Sequence, residues 1–97
     1  MKGKILTSNQ IAAFAVYLKS EEKSENTIEK YARDVKAFAT FLNSRAACKE
    51  LVIEYKQKLT ADGYVVSSIN SMLAALNSLF DYFGWIDCKV KVIKTQR

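Results

Sequence analysis

Lys30 and Arg33 stand one helical turn apart, with Asn26 a turn upstream. Two cations and an amide at that spacing can meet a polyanion. Ammonium and guanidinium groups pair with phosphate oxygens, Arg matches the guanine edge, and Asn matches adenine. A second set, Ser67, Asn70, Ser71, Ala74 and Ser78, recurs at helical spacing within a stretch, residues 67–83, whose one charge is Asp81. Solvent-facing helix surfaces normally carry Lys and Glu, so a smooth, nearly neutral face suits close approach to something. Two occupants fit. Small residues let a helix backbone approach a major groove, where Ser and Asn bond phosphates or bases, and they equally let a helix pack on a protein partner. The basic face around Lys30 has its own plain alternative as a solvated surface, flanked as it is by Glu29 and Asp34.

Catalytic chemistry finds little to work with. The chain has no His, the commonest general base, and neither Ser nor Cys sits in a nucleophile motif. Gly3, Gly63 and Gly84 are isolated, which excludes a phosphate-cradling loop. Cys48 and Cys88, far apart and without a His, support neither a zinc site nor a disulfide framework and read as free thiols. No metal and no cofactor is expected.

Four helices must carry these faces, because the chain has no Pro and its apolar residues recur at helical rather than alternating spacing. The first begins after Thr7, which forms a capping box with Gln10, carries Ile11, Phe14, Ala15 and Leu18 inward, and ends near Ser20. After the polar stretch 20–25, Asn26 can cap a second helix with Glu29 reaching back, and Ile28, Tyr31, Val35, Phe38 and Leu42 form its buried stripe. The third, with Leu51, Val52, Tyr55 and Leu59 inward, closes at Asp62-Gly63; its start lies at Ser44 or within 46–48. The fourth opens at Ser67, buries Ile69, Met72, Leu73, Leu76, Phe80 and Phe83, and closes at Gly84, after which Trp85 and Ile86 fold back onto the core. The Lys-Val alternation from Cys88 to Ile93 is too short for a lone strand and reads as an extended basic segment whose neighbours are missing, as in a truncated chain.

Ninety-seven residues make one domain with a modest core. Its formal charge of +5 is unevenly placed, since residues 8–86 hold nine basic and nine acidic side chains while the ends are basic. Electrostatic attraction to nucleic acid would come from the tails and from how the body's charges are sorted among its faces. No apolar run approaches a membrane span and no secretory signal precedes Thr7, so the expectation is a cytoplasmic protein without a membrane partner.

Two blocks then resemble a known family. Ser24, Thr27, Ile28, Tyr31, Asp34, Val35 and Phe38 match an S-x-x-T-hydrophobic-x-x-Y-x-x-D-hydrophobic-x-x-F pattern, and Ser68, Ile69, Asn70, Leu73, Leu76 and Phe80 match positions of a later S-x-x-T/S-I-N-x-x-L-x-x-L-x-x-F-F pattern. In order and at this gap they resemble the N-terminal core-binding domain of tyrosine recombinases, the phage-type integrases, over roughly residues 8–86. The resemblance implies an all-α, SAM-like four-helix domain forming half of a clamp around duplex DNA, with the second and fourth helices in the major groove. It places Asn26, Thr27, Lys30 and Arg33, and Ser67, Ser68, Asn70 and Ser71, near DNA.

On that resemblance residues 1–86 are the core-binding domain and residues 87–97 begin an interdomain linker, with Lys89, Lys91 and Lys94 following the duplex. The family's nucleophilic tyrosine belongs to a catalytic domain this chain lacks, so Tyr17, Tyr31, Tyr55, Tyr64 and Tyr82 are not candidates and this fragment is not expected to be an enzyme. Two departures stand out: Ile86-Asp87-Cys88 occupies the place of a common Asn-Pro, and Ser71 that of a common charged residue. The implied partners are the double-stranded core site of a mobile element and, in the full-length protein, other recombinase protomers, the isolated domain being monomeric. The alternative remains a helical protein-interaction module using the Ser/Ala face of the fourth helix.

Overall fold

The computed structural model describes residues 4–94, in which α1 (Ser8–Ser20), α2 (Glu25–Leu42), α3 (Lys49–Ala61) and α4 (Val66–Phe83) are followed by one 3₁₀ turn, Ile86–Cys88, and an extended strap, residues 89–94. No strand forms among the described residues. α2 packs between α1 and α4, and α3 lies on α4 with the 3₁₀ turn against both. The shortest dimension, 20 Å, is about two helix diameters, so the helices form two layers around one core.

Local signals explain most of the boundaries. Thr7 caps α1 as expected: its hydroxyl accepts from the Gln10 N–H at 3.2 Å, and Gln10 Oε1 accepts from the Thr7 N–H at 3.0 Å. Gly84 ends α4 in the left-handed region at φ 75°, where a side chain would be strained. α2 departs from expectation, since Ser24 rather than Asn26 is the cap and accepts from the Thr27 N–H at 3.2 Å. Asn26 is thereby the second helical residue and exposed. At its other end, Asn43 and Ser44 both take left-handed φ, and Arg45 turns back to donate to the carbonyls of Leu42 and Phe41 at 2.8 and 2.9 Å. That guanidinium supplies the cation which the last turn of α2 lacks.

With Ser44 in that turn, α3 starts from Cys48, whose side chain makes no capping bond. The preceding loop is held instead by buried Ala47, whose N–H donates to the Lys4 carbonyl at 2.8 Å. α4 begins one residue earlier than expected, at Val66, with uncapped Val65 before it.

The core joins all four helices and then continues past them. Phe14, Leu18, Val35, Phe38, Leu42, Val52, Ile69, Leu73, Leu76 and Phe80 are essentially inaccessible. Phe38 sits at the centre, with ring centroids of Tyr55 at 5.2 Å and of Phe41 and Phe80 at 6.2 Å. Ala75 and Leu79, outside the expected stripe, are fully buried as well, because α4 is covered by α2 on one side and α3 on another. Trp85 folds back, its ring 5.1 Å from that of Phe83, but Ile86 does not and is 58% exposed. The 3₁₀ turn rotates Ile86 outward and Cys88 inward, so Cys88 and then Val90 take the buried places. Burial pushes the Cys88 thiol pKa up, with Asp87 adding to it, which disfavours the thiolate.

Candidate nucleic-acid interface

On α2, the first turn is organised by its cap. Ser24 Oγ also donates to Thr27 Oγ1 at 3.0 Å, so the Thr27 side chain is half-buried and engaged locally, whereas Asn26 projects freely. One turn on, Lys30 forms an ion pair with Asp34, and its ammonium lies 5.8 Å from the Tyr31 ring centroid. Lys before Asp is the weaker orientation on an isolated helix. Here the Asp34 side chain is only 10% exposed, so Lys30 neutralises a carboxylate that water barely reaches. Arg33 is exposed and has no carboxylate partner within 4.0 Å among the described residues. The cation available on this face is therefore Arg33, with Lys36 exposed one turn behind it.

Lys30→Ala is accordingly expected to lower stability by about 1–2 kcal/mol by stranding Asp34, a cost reduced from the fully buried case because Lys30 is partly solvated. Lys36→Ala should stay within about 0.5 kcal/mol. Urea denaturation of the two variants checks the difference.

On α4, Ser67 and Ala74 are exposed, while Ser68, Asn70, Ser71 and Ser78 are half-buried. The strap explains part of that covering. Asn70 Nδ2 donates to the Ile93 carbonyl at 2.9 Å and its Oδ1 accepts from the Ile93 N–H at 2.7 Å. Two turns along, Asn77 does the same with Val90, at 2.9 and 3.2 Å. Each amide thus satisfies both backbone groups of one strap residue, as a neighbouring strand would. The segment read as lacking neighbours has α4 as its neighbour.

Among the strap's lysines, Lys89 pairs with Asp81 at 2.9 Å, while Lys91 and Lys94 are exposed. Lys56 Nζ donates to the Lys91 carbonyl at 2.8 Å, tying the strap to α3. Asn70, expected near base edges, has its amide engaged within the domain, and Asn77 escaped notice altogether. The signal for Asn77 was its place two turns from Asn70 at the edge of an apolar stripe.

Two packed helices present Asn26 and Arg33 on one and uncharged small residues on the other, beside a strap bearing Lys91 and Lys94. No group of His, Cys, Asp and Glu able to hold a metal occurs among the described residues, and none of their helices is long and apolar enough to cross a membrane.

An all-α domain of this order, with its blocks at Ser24–Phe38 and Ser68–Phe80, belongs to the phage integrase N-terminal SAM-like domain family, whose family model matches residues 11–85. The chain is 37% identical over 84 residues to a tyrosine recombinase XerA of Pyrococcus furiosus, covering 87% of this chain and 29% of that protein. It is 30% identical over 93 residues to a tyrosine recombinase XerA of Pyrococcus horikoshii, covering 96% of this chain and 32% of the relative. A putative tyrosine recombinase TTE1313 of Caldanaerobacter subterraneus subsp. tengcongensis is 26% identical over 83 residues, covering 79% of this chain and 29% of that protein. The chain thus spans under a third of the length of these relatives.

Proposed function

We propose that this domain is the part of a mobile-element tyrosine recombinase that grips core-site duplex DNA, with α2 and α4 toward the major groove, in support of integration and recombination. Its role is positioning, and the phosphodiester chemistry belongs to residues outside it. The observations that support the reading are an exposed Arg33 on α2, unpaired among the described residues, and the uncharged small residues of α4, the two helices packing together. Arg33 contributes a phosphate or guanine contact, Asn26 a base contact, and Ser67, Ser68 and Ser71 short bonds to phosphate, with Thr27 supporting the first turn of α2. Lys91 and Lys94 add cations from the strap. Lys30 and Lys89 contribute less than their charges suggest, because Asp34 and Asp81 neutralise them. Asn70 would contact DNA only through the donor and lone pair left over from Ile93.

With so few phosphates neutralised, the isolated domain should bind at roughly micromolar or weaker, with a log–log salt slope of about −3 to −5. Titration of core-site and random duplexes at two salt concentrations tests this. Absence of binding to either at low salt, with the domain folded, would sink the proposal. Arg33→Ala should weaken binding to both duplexes and flatten the slope by about one unit. Lys30→Ala should change it by clearly less, because Asp34 already neutralises that ammonium. An equal loss from both would mean that the Lys30–Asp34 pair opens on DNA.

A further inference from the structure

We infer that Asn70 and Asn77 form a clamp that lays the strap along α4 and so sets where Lys91 and Lys94 stand relative to the DNA-facing surface; this rests on the DNA-binding reading above. The two asparagines are positioning residues.

The geometry is matched in length. Asn70 and Asn77 are seven residues apart on a helix, roughly 10.5 Å at 1.5 Å rise per residue, and Val90 and Ile93 are three residues apart on extended chain, roughly 10 Å. Both amides therefore meet a backbone N–H and C=O in register, with the strap antiparallel to α4. Val90, 9% exposed, and half-buried Ile93 supply the apolar anchors at the clamped positions. Lys56 from α3 holds the carbonyl of Lys91 between them, and Lys89 reaches Asp81 at the start.

Lys91 follows one clamped residue and Lys94 follows the other, and both are exposed. Their backbones are thus pinned within one residue of a face that has no cation of its own. An unclamped strap would carry the same lysines but spread them over many positions, and a cation held in register with phosphates contributes more than a mobile one.

The test uses Asn77→Ala, since Asn77 is outside the nominated DNA contacts, alone and combined with Lys91→Ala/Lys94→Ala, with circular dichroism to verify folding. Hydrogen exchange of the Val90 and Ile93 amides should accelerate about tenfold or more. In the parent, Lys91→Ala/Lys94→Ala should flatten the salt slope by about two units. In the Asn77→Ala background the same pair should change it by less than about half that. Should Asn77→Ala fail to fold, Ile93→Ser releases the strap from its far end and takes its place. Faster strap exchange with an undiminished lysine effect would overturn the inference alone, as would strap amides that exchange no faster in either variant. A parent that binds no duplex at low salt would overturn the DNA reading and this inference with it.

Discussion

Phe38→Ala is expected to cost about 3–5 kcal/mol, a large share of the stability of a domain this size. Phe38 is wholly buried and its ring meets Tyr55 of α3 and Phe80 of α4 as well as Phe41 of its own helix. Truncation removes the transfer free energy of the ring and leaves a cavity lined by three other aromatics that are themselves anchored on different helices. The site cannot collapse by moving one neighbour. Small domains hold only about 5–15 kcal/mol in total, and each 1 kcal/mol shifts Tm by about 4–8 °C at this size. A fall in Tm of some tens of degrees follows, or loss of the folded state at ambient temperature. Val16→Ala, at a residue 68% exposed, should stay within about 0.5 kcal/mol. Thermal unfolding of the pair is the check, and similar values for both would contradict the placement of Phe38 at the centre of the core.

The second large effect is alkaline. Tyr55 is 5% exposed, and its phenol pKa is pushed up from 10.0 to about 12, first by burial and then by the nearby Asp34 carboxylate and Tyr64. The folded state therefore favours the neutral phenol. Below pH 10 both states keep it neutral and nothing changes. As pH rises from 10 toward 12, the unfolded chain loses the proton first, and stability falls. The loss is on the order of 2–3 kcal/mol once both states are ionised. No hydrogen bond to the Tyr55 hydroxyl is found among the described residues, so Tyr55→Phe should cost little at neutral pH and should flatten this part of the alkaline decline. Urea melts of both proteins at pH values on either side of this window would show it; parallel declines would place the titration elsewhere.

How far the fold could be read from the chain depended on how local each determinant is. Thr7 with Gln10, and Gly84, act within one turn, so the start of α1 and the end of α4 were legible. Ser24 and Asn26 are both competent caps and local preference does not separate them; the structure uses Ser24, whose hydroxyl reaches Thr27 in two ways. The start of α3 was bracketed but not fixed by local signals, because the one good capping residue, Ser44, belongs to the preceding turn and the loop is held by Ala47 bonding back to Lys4, a contact between distant residues. Leu79 and Ala75 were missed because a single apolar stripe assumes one packing partner, and α4 has two.

The candidate site divides the same way. Its two polar faces follow from helical period and were visible, whereas the state of each charge was not. Lys30 and Asp34 are neighbours on any helix, but only packing makes Asp34 nearly inaccessible and so commits Lys30 to it. The strap lay furthest from view. An extended segment has no period of its own to announce its partner, and Asn70 and Asn77 look like ordinary polar residues until Val90 and Ile93 are laid beside them.

The clamp also gives the strap, residues 89–94, a mechanical character. Tension pulling the strap outward from α4 loads the Ile93 pair first, then the Lys56 bond to Lys91, then the Val90 pair, and each yields in turn as in peeling tape. Tension along the α4 axis loads both pairs and the buried Val90 at once, which is shear and meets far more resistance. A single strap is thus compliant in one direction and stiff in the other.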